Sequence, residues 1–279
     1  MIERRIVLGD CREVLPALPD GCVDLCYIDP PFNTGRTQRR QRMRVVRDAE
    51  GGDRRGFGGR RYRTLTSPST EFEDRHDDFV GFLEPLLREV RRLLSPRGTL
   101  MLHLDPREVH YCKVACDGIF GREAFKNEII WAYDYGGRSR RRWPAKHDNI
   151  LWYVRDPEKY TYDYDAIDRI PYRAPSLVGP QKAARGKVPT DVWWQTIVPT
   201  NSREKTGYPT QKPLAILERI VKVHSCPGDL VLDFFAGSGT TGCAAALHGR
   251  RFLLIDSNPE AVRVMRERLA FFRPEIVGA

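Results

Sequence analysis

The sequence predicts an α/β fold, a mainly parallel sheet covered by helices on both faces, and three observations carry that prediction. From Pro213 onward, helical and strand patterns alternate in short succession, and such alternation places parallel strands between layers of helix. The run Val23 to Ile28, apolar but for Asp24, has the length and composition of a buried strand. Phe79, Phe82, Leu83, Leu86, Leu87, Val90, Leu93 and Leu94 recur at helical spacing, the signature of a helix laid on such a sheet. A chain of 279 residues builds one substantial core with insertions rather than two full domains.

In order along the chain, Ile6-Val7-Leu8 is a short strand, and a helical pattern through Leu15 and Leu18 stops at Pro19-Asp20-Gly21. The strand Val23 to Ile28 runs into Asp29-Pro30-Pro31-Phe32, where two prolines end sheet pairing and fix an extended exit. Residues 33–71 are rich in Arg, Gly, Ser and Thr with almost no apolar periodicity, which predicts a long mobile loop. After the helix at 79–94 come a strand from Thr99 to Leu104, a helix from Tyr111 to Phe120, and strands over Glu128 to Tyr133 and Ile150 to Val154. His103 and Asp105 close the Thr99 strand on the same side as Asp29 and are given no chemistry. The Pro-, Tyr- and Arg-rich stretch 156–206 reads as a small separate lobe. A helix to Val223, strand Leu230 to Phe234, helix Thr240 to Leu247, strand Phe252 to Ile255 and a last helix complete the pattern. The expected division is therefore 1–155, 156–206 and 207–279, the first and last parts sharing one sheet.

The formal charge is +9, which favours a polyanionic partner over a neutral metabolite. Eleven arginines lie between Arg36 and Arg63 against Asp48, Glu50 and Asp53, a net +8. A general taste for Arg over Lys does not explain such clustering, and like charge so concentrated is relieved by phosphate. Arg36, Arg39, Arg40, Arg42 and Arg44 are therefore candidate nucleic-acid contacts. A second basic set holds Arg138, Arg140, Arg141 and Arg142 with Trp143 and Lys146. Trp193 and Trp194 in the 156–206 stretch are read as a shielding core. Seven cysteines without a CxxC pair point to no metal site, and Cys112 and Cys116 are read as packing. The N-terminus lacks the apolar region of a secretory signal, and no run approaches the ~20 residues that span a bilayer. A cytoplasmic protein with no membrane partner is expected.

Two motifs carry chemistry. In Asp233-Phe234-Phe235-Ala236-Gly237-Ser238-Gly239-Thr240-Thr241-Gly242 a strand passes through a glycine turn into a helix. Gly237 and Gly239 permit close backbone approach, and the amides near Thr240 and Thr241 form a positive helix end. Asp256 ends the following strand, where a carboxylate grips two ribose hydroxyls. Asp233 precedes the turn, which suits a cationic amino group and gives a dinucleotide pyrophosphate nothing. In the second motif, Asp29 and the Pro30 carbonyl can accept both N–H groups of an aromatic amine. That draws the nitrogen towards tetrahedral geometry and stabilises the charge developing on attack. Phe32 can stack on the base.

The chain resembles the β-class amino-methyltransferases of DNA, specifically the adenine N6 branch. The resemblance rests on Leu8-Gly9-Asp10, Asp29-Pro30-Pro31-Phe32-Asn33-Thr34-Gly35, Leu94-Ser95-Pro96-Arg97-Gly98-Thr99-Leu100, Asn127-Glu128-Ile129-Ile130-Trp131, His147-Asp148-Asn149-Ile150-Leu151, Gly207-Tyr208-Pro209-Thr210-Gln211-Lys212-Pro213 and the glycine motif. It implies a Rossmann-like sheet with one antiparallel strand and a circularly permuted motif order, the catalytic tetrapeptide preceding the glycine motif. It implies S-adenosyl-L-methionine (AdoMet) as cofactor and DNA as partner, with a flipped adenine methylated at N6. By the same resemblance Asp10 reaches the cofactor's adenine and Asp256 its ribose. Asp233, Gly237, Gly239, Thr240 and Thr241 hold the methionine part, Phe235, Ala236 and Ser238 also bind the cofactor, and Lys212 lies beside it.

Phe234 stands where the family usually has proline, and Phe32 where tyrosine is commoner. The target-recognition stretch 156–206 is short, which leaves few bases read or a partner subunit to help; a homodimer is a separate expectation. Cytosine N4 methylation shares the mechanism, but its family more often has Ser in place of Asp29. A catalytically silent DNA-binding subunit is disfavoured because both motifs are intact. RNA presents the same base edge when a base is flipped.

Overall fold

The structure is a computed structural model describing residues 3–31, 36–40, 43–47, 51, 54–55, 61–66, 70–74, 78–199 and 202–278. The chain divides into two compact units, residues 1–32 with 78–279, and residues 33–77.

The larger unit is built on nine strands: β1 (Arg4–Leu8), β2 (Val23–Ile28), β8 (Leu94–Leu104), β9 (Phe125–Ala132), β10 (His147–Val154), β11 (Val192–Trp194), β12 (Leu230–Asp233), β13 (Arg251–Asp256) and β14 (Glu275–Val277). Their order across the sheet is β11-β9-β10-β8-β2-β12-β13-β1-β14. Only β10 runs against the rest, pairing antiparallel with both β8 and β9. The expectation of a mainly parallel sheet with one antiparallel strand is met.

Each strand forms where the sequence supplies a run that both faces of the sheet can bury. In β2 every residue but Asp24 is buried, as a strand covered on two sides requires. Asp24 is tolerated because it accepts hydrogen bonds from the Ser95 hydroxyl at 2.9 Å and the Leu230 amide at 3.0 Å, so its lone pairs are not left dry.

The helix α2 (Phe79–Leu93) starts where Asp78 caps the Gly81 amide at 2.8 Å. It lays Phe79, Leu83, Leu86, Leu87, Val90 and Leu93 on the sheet. Burying each such side chain contributes about 1.5–3 kcal/mol, so Leu87→Ala is expected to cost about 2–5 kcal/mol. The helix α3 (Val109–Phe120) turns Cys112 and Cys116 inward, where burial raises both thiol pKa values. The remaining cover comes from α5 (Leu214–His224), α6 (Thr240–Leu247) and α7 (Pro259–Leu269), with the short α1 (Cys11–Val14) and α4 (Pro180–Arg185) lying in connections. Among the described residues no helix is long and apolar enough to cross a membrane.

Two expectations are corrected. The sequence predicts no secondary structure over residues 33–71, yet they carry β3 (Arg36–Arg40), β4 (Met43–Arg47), β5 (Arg54–Arg55) and β6 (Arg61–Thr66). With β7 (Thr70–Asp74) these form a β3-β7 pair and a three-stranded β4-β6-β5 sheet. Strand propensity explains this: Val45-Val46 and Tyr62, Thr64 and Thr66 are β-branched or aromatic, and long arginine stems suit a strand face. The stretch 156–206 is likewise not a separate lobe, because it belongs to the larger unit and adds β11 to the sheet edge. Trp193 of β11 is buried as expected, but Trp194 is exposed and not part of the shielding core expected of both, because neighbouring side chains on a strand point to opposite faces.

Candidate active site

Parallel strands deliver their carboxyl ends to one edge, where the connecting loops can converge on a ligand. Register pairs Ile28 with Leu102, Cys26 with Leu232, Asp233 with Leu254 and Leu8 with Asp256. Five carboxylates therefore cap five adjacent strands in spatial order: Asp105 after β8, Asp29 after β2, Asp233 on β12, Asp256 on β13 and Asp10 after β1. Asp10 caps α1, accepting from the Arg12 amide at 2.9 Å, and the Arg12 guanidinium holds its pKa below the usual carboxylate value.

Between Asp233 and α6 the chain makes a turn that only glycine fits. Gly237 and Gly239 have φ of +49° and +72°. A Cβ on Gly239 would stand 2.8 Å from the Met265 Cγ, and one on Gly242 would stand 2.5 Å from the Leu254 Cδ1. The Asp256 carboxylate accepts from the Gly237 amide at 2.8 Å and the Asn258 amide at 2.8 Å, so one side chain fixes both the turn and its own strand end. Phe234 is buried, and the Phe235 ring meets Phe82 with centroids 6.2 Å apart. The hydroxyls of Ser238 and Thr240 lie 3.1 Å apart, and Arg268 donates to Thr240 at 2.8 Å.

Asp233 is the most perturbed acid of this edge. It accepts from the Thr241 hydroxyl at 2.6 Å and the Phe235 amide at 3.1 Å. Burial outweighs both bonds and, with the charges of Asp29 and Asp256, pushes its pKa up to about 7. Burial also raises Asp256. A buried carboxylate so poised is stabilised by a cation, a pattern typical of binding sites.

Asp29 stands one strand over, with Pro30 buried behind it. Its Oδ2 accepts from the ammonium of Lys212 in a pair whose side chains are 17% and 9% exposed. Its Oδ1 is buried with no hydrogen-bond partner among the described residues. Lys212 arrives on the segment before α5, where Gln211 accepts from the Thr206 amide at 2.9 Å and donates to the Glu204 carbonyl at 2.8 Å. The Lys212 carbonyl accepts from Thr240 at 3.3 Å, so this strap joins the Asp29 corner to the start of α6. Tyr208, on the same strap, would stand 3.2 Å from a Cβ at Gly237.

Beyond Asp29 lies a buried polar chain. The Tyr27 hydroxyl meets His103 Nδ1 at 2.7 Å, His103 Nε2 meets Asp148 Oδ2 at 3.1 Å, and Tyr133 donates to Asp148 Oδ1 at 3.0 Å. Burial works to raise the Asp148 pKa. The hydrogen bond and charge of His103, with the charge of Lys212, outweigh burial and bring it below the usual value. The structure thus gives His103 a place at the edge of the site, and its position at the end of a strand was the one signal available in sequence.

Of the remaining sequence candidates, Phe32 and Arg42 lie outside the described residues. Arg36, Arg39 and Arg40 fall on β3 and Arg44 on β4 of the smaller unit. Arg138, Arg140, Arg141 and Arg142 are exposed between β9 and β10.

An open α/β sheet whose carboxyl edge holds a glycine turn, a buried acid beside it and an Asp-Pro-Pro corner defines a group-transfer site for an adenosine-type ligand. The chain belongs to the DNA methylase family, whose model for N6 and N4 amino-methylases matches residues 23–267. It is 31% identical over 277 residues to the DNA adenine methyltransferase YhdJ of Escherichia coli K12, spanning 95% of this chain and 82% of that one. The M1.HpyAVI–SAM complex shares the fold with a TM-score of 0.60 at 22% identity, covering 95% and 98% of the two chains. The cytosine-N4-specific PvuII DNA methyltransferase does so at 0.63 and 14% identity, covering 99% and 95%.

Proposed function

We propose that this chain transfers a methyl group from AdoMet to the N6 amino group of a flipped adenine in DNA. The observation that carries the reading is Asp29: one carboxylate oxygen is held by Lys212, and the other is buried and unpartnered among the described residues at the sheet edge. A buried lone pair without a donor is costly unless a ligand supplies one, and an amino N–H is such a donor.

The residues present fit the cofactor. Gly237 and Gly239 leave a cradle that side chains would fill, and Asp233 stands beside it as a buried acid in want of a cation. Asp233, Phe235, Ala236, Gly237, Ser238, Gly239, Thr240 and Thr241 would hold the methionine part. Asp256 would take the ribose through lone pairs left over from its two amide bonds, and Asp10 would reach the adenine. When bound, the cofactor supplies an electrophilic methyl group. Asp29 Oδ1 and the Pro30 carbonyl accept the two N–H groups of the target amine, localise the nitrogen lone pair and offset the charge that develops there. Lys212 fixes the Asp29 carboxylate. Orientation of the amine by this rigid corner contributes about 7–11 kcal/mol in well-aligned cases. Phe32 is assigned to stacking on the base, and residues 156–206 to target recognition.

The adenine preference draws support from YhdJ, named for adenine, and from Asp at position 29. The fold by itself is shared with a cytosine N4 enzyme. Modified-base sequencing of DNA from a host expressing the chain, with nucleoside mass spectrometry, tests the reading. N6-methyladenine at a defined motif, lost with Asp29→Ala, is expected. N4-methylcytosine would transfer the same chemistry to the other base, and no new mark would overturn the proposal.

A further inference from the structure

The strands β9 and β10 are joined at the reaction edge by residues 134–146. The connection is braced at its base: the Tyr133 amide donates to the Lys146 carbonyl at 3.0 Å, and Lys146 pairs with Asp134 at 2.6 Å. Tyr133 itself reaches Asp148, so the base of the hairpin is tied to the polar chain beside Asp29. Its tip is different. Arg138, Arg140, Arg141 and Arg142 are exposed, and their guanidiniums make no ion pair or hydrogen bond among the described residues. Between them the Ser139 hydroxyl accepts the amides of Arg141 and Arg142 at 3.2 Å each, folding the basic run into a turn. Trp143 follows at 96% exposure, the most exposed large apolar side chain described.

A fully solvated indole is an unusual use of the most apolar-surfaced residue type. One set beside four exposed guanidiniums has the composition of a surface that stacks on bases while neutralising phosphates. Because β9 runs parallel to β2 and β8, the hairpin rises from the same edge that carries Asp29. A target base must leave the duplex to reach a buried carboxylate, and unpairing and unstacking it is costly. Something must fill or prise the stack it leaves.

We propose that the 134–146 hairpin is a duplex-opening wedge: Trp143 enters the base stack next to the target, and Arg138, Arg140, Arg141 and Arg142 hold the flanking phosphates. The inference rests on the reading that the chain methylates a base in DNA. Lys146 and Asp134 set the base of the wedge, and the Tyr133–Asp148 bond couples its placement to the site.

The test uses the full chain and two duplexes carrying the motif found by modified-base sequencing: one with 2-aminopurine in place of the target adenine for fluorescence, and one with adenine for kinetics. The parent protein gives a rise in 2-aminopurine fluorescence on binding. Trp143→Ala loses that rise and loses about tenfold or more in kcat/KM on a paired duplex, the size of one lost base–aromatic stack. On a duplex whose target is mismatched, and so already loosened, its kcat/KM returns to near that of the parent. Trp143→Phe restores most of both readings. Phe271→Ala, removing an exposed aromatic ring from outside the hairpin, leaves all of them unchanged. Fluorescence and paired-duplex activity of Trp143→Ala equal to the parent's would overturn the wedge while leaving methylation standing. A parent that methylates no DNA would overturn the reading of function and the wedge with it.

Discussion

Lys212 grips Asp29 across 183 residues of sequence, joining the corner after β2 to the strap that leads into α5. Both partners are nearly buried, so each neutralises a charge that would otherwise be stranded in low dielectric. Lys212→Met is expected to cost about 3–5 kcal/mol, the usual penalty for orphaning one member of a buried pair. Pairing it with Asp29→Asn should recover much of that loss, because no lone charge then remains. Urea unfolding of the four members of the cycle measures both quantities, and strictly additive losses would contradict the coupling.

Asp29→Asn keeps the size of the side chain and removes the carboxylate. Turnover should fall by about 100-fold or more, the scale of losing a principal electrostatic stabiliser. Cofactor binding by calorimetry should persist, since the glycine turn is untouched. Loss of cofactor affinity equal to the loss of turnover would place Asp29 in binding instead.

Asp233 makes a pH prediction with a definite sign. Its pKa is raised from 3.8 to about 7 by burial first and by Asp29 and Asp256 after it. The folded state therefore binds the proton more tightly than the unfolded chain does. The stability this lends is full below about 4 and is lost as pH rises through about 7. Asp233→Asn should be more stable than the parent at pH 8 without cofactor, with the gap closing on acidification. The same variant should lose the thermal shift that AdoMet gives the parent. Melting curves at pH 5 and pH 8, with and without AdoMet, decide; a gap that does not change with pH would contradict the assignment.

The basic strands of residues 33–77 form a unit of their own. Deleting residues 39–61 should leave the cofactor site folded while removing most DNA affinity. The slope of log affinity against log salt should become shallower by about 0.9 for each phosphate no longer neutralised. Filter binding at several salt concentrations checks this, and an unchanged slope would show that these arginines meet no phosphate.

Elements buried on both faces, such as Val23–Ile28 and Thr99–Leu104, were readable because their apolar runs have no other stable home. The glycine turn was readable because a positive φ at Gly237 and Gly239 admits few other residues. The single reversed strand came from family resemblance alone, since His147–Val154 looks the same in either direction. The strands of 36–74 escaped because arginine masks the period of two on which strand recognition depends. The buried chain of Tyr27, His103, Asp148 and Tyr133 escaped for another reason: its members come from four different strands or their ends, and hydrogen bonds between distant segments leave no local spacing. The segment 207–213 was marked by resemblance, but its contact with Asp29 was not legible, because its shape is set by Gln211 and Glu204 bonding to backbone.

The reversal of β10 settles which connection lies at the rim that carries Asp29. A parallel strand in that slot would need a crossover to the far rim and back, and the short span from Ala132 to His147 would vanish from the reaction side. Inverted, the strand brings a tight hairpin there at no cost to the five carboxylates, whose spacing is locked by the other ladders. Length and charge in that hairpin can therefore change without moving the carboxylates at the strand ends.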